Sequence, residues 1–230
     1  MSQTLVFLPG FMCDRRLFAP QIAHFGEDVE CITKIVAKST IGQMADAVLA
    51  TAPERFALAG LSMGGIIALE IMARAPSRVT RLALMDTTPM ADAPANRDIR
   101  NRQIEDVHKG RLDTVMRDEL KPAYLVDGPG KPAILETCME MARTLGPDVF
   151  EQQSLALRDR LGLEDVLPTI TVPTLVLCGA QDRLCPPERH RAMNAAIAHS
   201  KLKLISGAGH LPTLEQPEAT SAALAAWLGA

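Results

Sequence analysis

Aromatic side chains are scarce in this sequence: six Phe, one Tyr and one Trp make up 3% of 230 residues. So few rings leave no stacking platform for single-stranded bases. No long basic run appears and the formal net charge is −3, which argues against nucleic acid or an anionic membrane surface as partner. There is no C-x-x-C pair, and the five cysteines (Cys13, Cys31, Cys138, Cys178, Cys185) are odd in number. Neither a disulfide framework nor a zinc knuckle is indicated, and buried thiols suit a reducing compartment. Histidines and acidic residues never fall at metal-ligand spacing, so no metal and no cofactor are expected. No apolar run is long enough to span a bilayer, and MSQTLVFLPGF carries no basic stretch ahead of its apolar run. The expectation is a cytoplasmic protein, monomer or homodimer, that acts on a small molecule without membrane attachment.

What the sequence does have is material for a core: 47% hydrophobic against 22% charged residues. A chain of this length can bury such a core without disulfides. Short apolar runs alternate with helical patterns. Thr4–Leu8, Val29–Val36, Phe56–Ala59, Val79–Met85, Thr174–Cys178 and Lys201–Ile205 read as strands. Between them, Ile41, Met44, Ala45, Val48 and Leu49 follow helical spacing behind the caps Ser39 and Thr40. Met63–Ala75 is apolar nearly all round, as in a helix packed centrally on a sheet, and Pro76 stops it. Helices are also expected near Pro187–Ile197 and Gln216–Leu228. Strands joined through helices predict an α/β fold with a mostly parallel sheet covered on both faces. From about Ala91 to Asp165 the pattern becomes charged and helical, with helices near Ala95–His108, Arg111–Lys121, Lys131–Leu145 and Asp148–Arg160. Residues 1–90 and 166–230 therefore read as one core, and 91–165 as a helical lid inserted in the same domain.

The chemistry centres on Gly60-Leu61-Ser62-Met63-Gly64-Gly65, a G-x-S-x-G-G element that follows a strand and opens a helix. A serine at such a sharp turn is pushed out of the sheet, and glycines two positions either side remove side chains that would collide. Its hydroxyl is a weak nucleophile and needs a base. His210, in Gly207-Ala208-Gly209-His210, follows the last strand at the carboxyl edge, where parallel sheets bind ligands. His24, His108, His190 and His199 sit in helical, polar surroundings and are expected on the surface. The base needs an acid to fix its tautomer. Asp182, in Gly179-Ala180-Gln181-Asp182, gives the chain order Ser, Asp, His; Asp86, which ends another strand, is its competitor. For an oxyanion, the helix behind Ser62 supplies the N–H of Met63, and the loop Leu8-Pro9-Gly10-Phe11 supplies that of Phe11, with Met12 as the alternative.

Together Leu8–Phe11, Gly60–Gly65, Gly179–Asp182 and Gly207–Pro217 resemble the α/β-hydrolase superfamily. The last segment is similar to that of small single-domain carboxylesterases, enol-lactonases and the menaquinone-pathway lyase. Members usually begin with two more strands, so a sheet of about six is implied here. Dehalogenases and epoxide hydrolases carry aspartate where Ser62 stands, which excludes both. The resemblance implies a serine hydrolase acting on a carboxylic ester, lactone or thioester through an acyl-enzyme on Ser62. A C–C bond lyase or hydrolase using the same triad is the second reading, and a ligand receptor the third. In the lid, Met90, Met116, Met139, Met141, Leu112, Leu125 and Leu135 would suit an adaptable apolar pocket. Arg15 and Arg16 lie close enough in sequence to the oxyanion loop to meet a carboxylate, though such arginines more often open a solvated helix. Cys13 and Cys185 fall near the expected pocket mouth.

Overall fold

In the computed structural model, which describes residues 3–229, the apolar runs become six strands. They are β1 (Gln3–Leu8), β2 (Val29–Thr33), β3 (Phe56–Leu61), β4 (Val79–Met85), β5 (Thr174–Gly179) and β6 (Ser200–Ile205). All pair in parallel, in the order β2-β1-β3-β4-β5-β6. The strand order reverses between β1 and β3, and parallel sheets open a crevice outside the carboxyl ends at such a point. Every residue of β3 and β5 is buried, as strands covered on both faces must be. β6 alternates instead: its Lys201 and Lys203 point to solvent at the sheet edge, which guards against pairing with another chain.

The helices in chain order are α1 (Ala19–Phe25), α2 (Ile41–Thr51), α3 (Met63–Arg74), α4 (Asn96–His108) and α5 (Leu112–Thr114). They continue with α6 (Lys131–Arg158), α7 (Pro187–Ala196), α8 (Pro212–Glu215) and α9 (Pro217–Leu228). Alternate residues of each strand feed two cores. Val6, Leu8 and Leu58 meet Met44 and Val48 of α2, Ile67 of α3 and Met193 of α7. Leu5, Phe7 and Ala59 face the other way, toward Phe18, Phe25 of α1 and Leu224 of α9. Phe7 stacks on Phe18 with ring centroids 4.4 Å apart. Thr40 caps α2 by accepting the Gln43 N–H at 3.2 Å. Among the described residues no helix is long and apolar enough to cross a membrane.

Three expectations need correction. β2 ends at Thr33 rather than Val36, because β1, its neighbour in the sheet, turns away at Pro9-Gly10 once Phe7 has paired with Thr33. The helix expected over Arg111–Lys121 is only three α-residues, then a π-turn at Val115–Leu120 and a 3-10 turn at Lys121–Ala123. Regular α spacing ends at Thr114, and Pro122, with no N–H to donate, keeps it from resuming. His190, expected on the surface, is fully buried under the end of β4. By contrast, the break between the two helices of the 131–160 region falls as expected: α6 changes direction at Gly146 (φ 79°), ahead of Pro147.

His190 is held as a neutral ring. Its Nε2 accepts the Thr87 N–H at 3.1 Å, so Nδ1 carries the proton and donates to the Pro186 carbonyl at 3.3 Å. Burial disfavours the charged form and pushes its pKa down to about 4. The unfolded chain then binds a proton that the folded one does not between pH 6.5 and 4, so this contribution is present above pH 6.5 and lost on acidification. Between pH 7 and pH 4 the wild type should lose about 3 kcal/mol more stability than the His190→Gln variant. Urea unfolding of both proteins at both pH values measures the difference, and parallel losses would show that His190 does not titrate in this way.

Candidate active site

Ser62 joins β3 to α3 with φ 55° and ψ −116°, a backbone region that side-chain-bearing residues avoid. Two hydrogen bonds hold it there. Its N–H donates to the Met85 carbonyl at 2.9 Å, and Thr87 Oγ1 donates to its carbonyl at 2.7 Å. Both partners lie at the end of β4, so the neighbouring strand fixes the turn. A Cβ at Gly60 would overlap the Gly64 carbonyl, and one at Gly64 would overlap the Leu8 carbonyl of β1. Close backbone approach therefore requires both glycines.

The other residues singled out in the sequence meet Ser62 at this edge. His210 follows β6 and is 1% exposed; its Nε2 lies 2.9 Å from Ser62 Oγ and its Nδ1 lies 2.8 Å from Asp182 Oδ2. The His210 N–H donates to the Tyr124 carbonyl at 2.6 Å, and the Tyr124 ring meets the imidazole edge to face. Asp182 Oδ1 accepts from the N–H groups of Leu184 (2.8 Å) and Cys185 (3.1 Å), which leaves Oδ2 for the histidine. Burial alone would raise the Asp182 pKa, but the hydrogen bond and charge of His210 and these two N–H donors hold it below the usual carboxylate range.

Asp86, the competitor, lies beside Asp182 in a different state. It is fully buried at φ 43°, and Oδ1 accepts the Gly179 N–H at 2.8 Å. Among the described residues Oδ2 has no partner. Burial, then the adjacent charge of Asp182, push its pKa well above the usual value. A carboxyl whose surroundings disfavour its charged form, and which makes no bond to His210, is poorly suited to balance an imidazolium.

Phe11 and Met63 line the same cavity as Ser62, and neither N–H has an acceptor among the described residues. Met12 is excluded as the alternative donor, because its N–H goes to Gln153 Oε1 at 2.9 Å. Two residues that the sequence did not single out complete the frame. Gln153, buried in α6, ties Met12 to the Val36 carbonyl. Glu215 accepts from Gly209 and Leu211 on both sides of His210, at 3.0 Å each, and from Val126 at 2.8 Å. An acidic residue within one helical turn of a glycine-rich loop, at the end of the short helix α8, was the available signal, since such a carboxylate can reach back to loop N–H groups.

The cavity encloses about 260 Å³, with Leu120, Tyr124 and Leu157 as apolar wall and Asp92, Arg100, Arg160 and Arg189 as charged wall. The apolar pocket expected from the methionines is not here. Met116, Met139 and Met141 are fully buried in core clusters, Leu125 is buried too, and Leu112 and Leu135 pack against these cores. Met90 is exposed. The inner faces of α6 and its neighbours fill that space, so these side chains never reach the cavity. Arg16 is taken by Asp14 at 2.6 Å and Arg15 is exposed outside the cavity. Cys185 lines the cavity whereas Cys13 does not, and burial raises both thiols, Cys13 to about 12. Donor atoms of Asp182, Cys185 and His210 lie within 4.8 Å of one another. Asp182 and His210 already bond each other and the Cys185 thiol stays protonated, so this set does not suit a cation. A larger groove of about 530 Å³ lies at the amino ends of β5 and β6, away from these groups.

Comparison with known proteins agrees with this fold. The model of the Alpha/beta hydrolase family matches residues 5–223. A pimeloyl-[acyl-carrier protein] methyl ester esterase of Xanthomonas oryzae pv. oryzae is 30% identical over 72% of this chain and 67% of its own length. An esterase structure from Thermogutta terrifontis superposes with a TM-score of 0.90 at 27% identity, covering 99% of this chain and 89% of that one. The enol-lactonase of Burkholderia xenovorans LB400 shares the fold alone, at 20% identity and a TM-score of 0.89 over 100% and 92% of the two chains. With its sheet, its Ser62 turn and a match over nearly its whole length, this chain belongs to the alpha/beta hydrolase family.

Proposed function

We propose that the protein is a serine hydrolase that cleaves a small carboxylic ester, lactone or thioester through an acyl-enzyme on Ser62. The observation that carries this reading is the hydrogen-bonded line from Ser62 Oγ through His210 to Asp182, at 2.9 and 2.8 Å. His210 Nε2 takes the serine proton as Oγ attacks the carbonyl carbon, while ionised Asp182 keeps Nδ1 protonated and stabilises the imidazolium. The N–H groups of Phe11 and Met63 receive the oxyanion, each worth about 3 kcal/mol in such sites. His210 then protonates the leaving oxygen or sulfur. Water, activated by the same imidazole, cleaves the acyl-enzyme and releases the acid. The ester-cleaving names of the Xanthomonas and Thermogutta relatives support this substrate class. In this reading residues 91–165 form a lid over the site, since Arg100, Leu120, Tyr124 and Leu157 of that stretch wall the cavity.

Asp182→Asn should lower kcat by about 10³–10⁴, because the wrong histidine tautomer is favoured. Asp86→Asn leaves the His210–Asp182 bond in place and should cost less than about tenfold. Steady-state kinetics of both variants decide the assignment; a reversed order would make Asp86 the acid.

Rapid mixing with an activated nitrophenyl ester should release a burst near one leaving group per site, followed by slower turnover. Acid-quenched protein should carry the acyl mass on the peptide containing Ser62, and Ser62→Ala should show neither. Turnover without any acyl adduct would favour the lyase reading, in which the triad only moves protons.

A further inference from the structure

The cavity beside Ser62 carries a surplus of two positive charges: Arg100, Arg160 and Arg189 against Asp92 alone. The three arginines differ in what they still offer. Arg160 is engaged at every nitrogen: Nε donates to the Met90 carbonyl, Nη1 to the Leu157 carbonyl, and Nη2 lies 3.4 Å from Asp92. Arg189 is exposed, and among the described residues its one hydrogen bond is to the Leu184 carbonyl, at 3.5 Å. Arg100 is held at one atom. Its Nε donates to Asp92 at 2.6 Å, and Asp92 is itself fixed by Asn96 at 2.8 Å. Both terminal nitrogens of Arg100 lack an acceptor among the described residues, although its side chain is only 19% exposed.

A guanidinium presents two parallel N–H groups that match the two oxygens of a carboxylate. An ion pair made only to anchor α4 would use that fork on Asp92; here Asp92 takes Nε and leaves the fork unpaired beside the nucleophile. Partly burying a cation is costly unless an anion meets it. We propose that the substrate is an anionic ester or thioester whose carboxylate binds the Nη1/Nη2 fork of Arg100 while its scissile carbonyl lies over Ser62. The cavity is smaller than the roughly 300–1,000 Å³ typical of drug-sized ligands, so only a few bonds separate carboxylate and carbonyl. Arg189 adds attraction for the incoming anion. The assignment deepens the hydrolase reading and rests on it for the position of the carbonyl.

Two ester pairs test where the charge belongs. One compares the 4-nitrophenyl monoester of glutaric acid with 4-nitrophenyl butyrate, placing charge on the acyl side. The other compares 4-carboxyphenyl butyrate with phenyl butyrate, placing it on the leaving group. In one pair the anionic member should have the higher kcat/KM by about 10- to 100-fold. Arg100→Gln should abolish that ratio, and Arg100→Lys, which keeps the charge but loses the fork, should retain part of it. A merely structural arginine would lower both members of a pair alike and leave the ratio standing. Binding gives an arm that needs no turnover. Monomethyl glutarate should bind Ser62→Ala by calorimetry, and adding Arg100→Gln, or Arg100→Lys should the first not fold, should weaken it at least about tenfold. If no ester is cleaved but this binding depends on Arg100, the hydrolase reading fails and the anion site stands. Equal or poorer cleavage of both anionic esters, or binding indifferent to Arg100, overturns the proposal.

Discussion

The backbone of β1 passes so close to the turn after β3 that no side chain fits between them, and the rest of the site is arranged around this approach. The parallel register sets Leu8 opposite Gly60, and the Leu8 carbonyl fills the place where a Cβ of Gly64 would stand. With the two strand ends locked together, the start of α3 points at the sheet's carboxyl edge. The loop after β1 then folds over Ser62, bringing Phe11 into the same cavity as Met63. The exposed turn at Ser62 and the two N–H groups left without an acceptor among the described residues are thus consequences of one packing constraint at the point where the strand order reverses.

Backbone strain collects at this edge. Among the described residues, those other than glycine with positive φ are Met12, Ser62 and Asp86, just past the ends of β1, β3 and β4. Each costs on the order of 1–3 kcal/mol and persists only where its surroundings over-determine it. Gln153 holds Met12; Met85 and Thr87 hold Ser62; the Leu177 carbonyl and the Gly179 N–H hold Asp86. At about 1 kcal/mol net for each bond, this network is of the same size as the strain it offsets. His190 belongs to it too. By taking the Thr87 N–H, its neutral ring steadies the residue whose hydroxyl grips Ser62.

Two buried carboxyl groups side by side cannot both carry charge cheaply. The structure separates them by their donors. Asp182 receives two N–H bonds and His210, which hold its pKa down, whereas Asp86 receives one N–H, faces the charge of Asp182 and has its pKa pushed up. Glu215 acts through geometry: it clamps both flanks of His210 to the 124–126 segment, so the loop that carries His210 is braced against the helical insertion. His210 is therefore positioned from outside the sheet as well as from its edge.

The elements whose signal is local were legible in the sequence. Strand periodicity, the glycines around Ser62 and the Gly-rich loop before His210 express short-range sterics, and they fixed the sheet and the candidate residues Ser62, Asp182 and His210 by position alone. Where local rules met a missing neighbour or donor, as at the end of β2 and at Pro122, the boundaries shifted. The role of a residue whose partner is distant in the chain was not legible. Nothing near His190 announces that α7 will press it against Thr87, 103 positions away. Nothing near Met139 or Met141 says that they fill core while Arg100 lines the cavity. Which of Asp86 and Asp182 is ionised was likewise undecided until the fold set them side by side. The sequence by itself determined the strands, the strained turn and the residue types that chemistry needs, because these depend on contacts within a few residues. Tertiary structure decided protonation, pocket lining and bracing, because these depend on burial and on partners that only packing brings together.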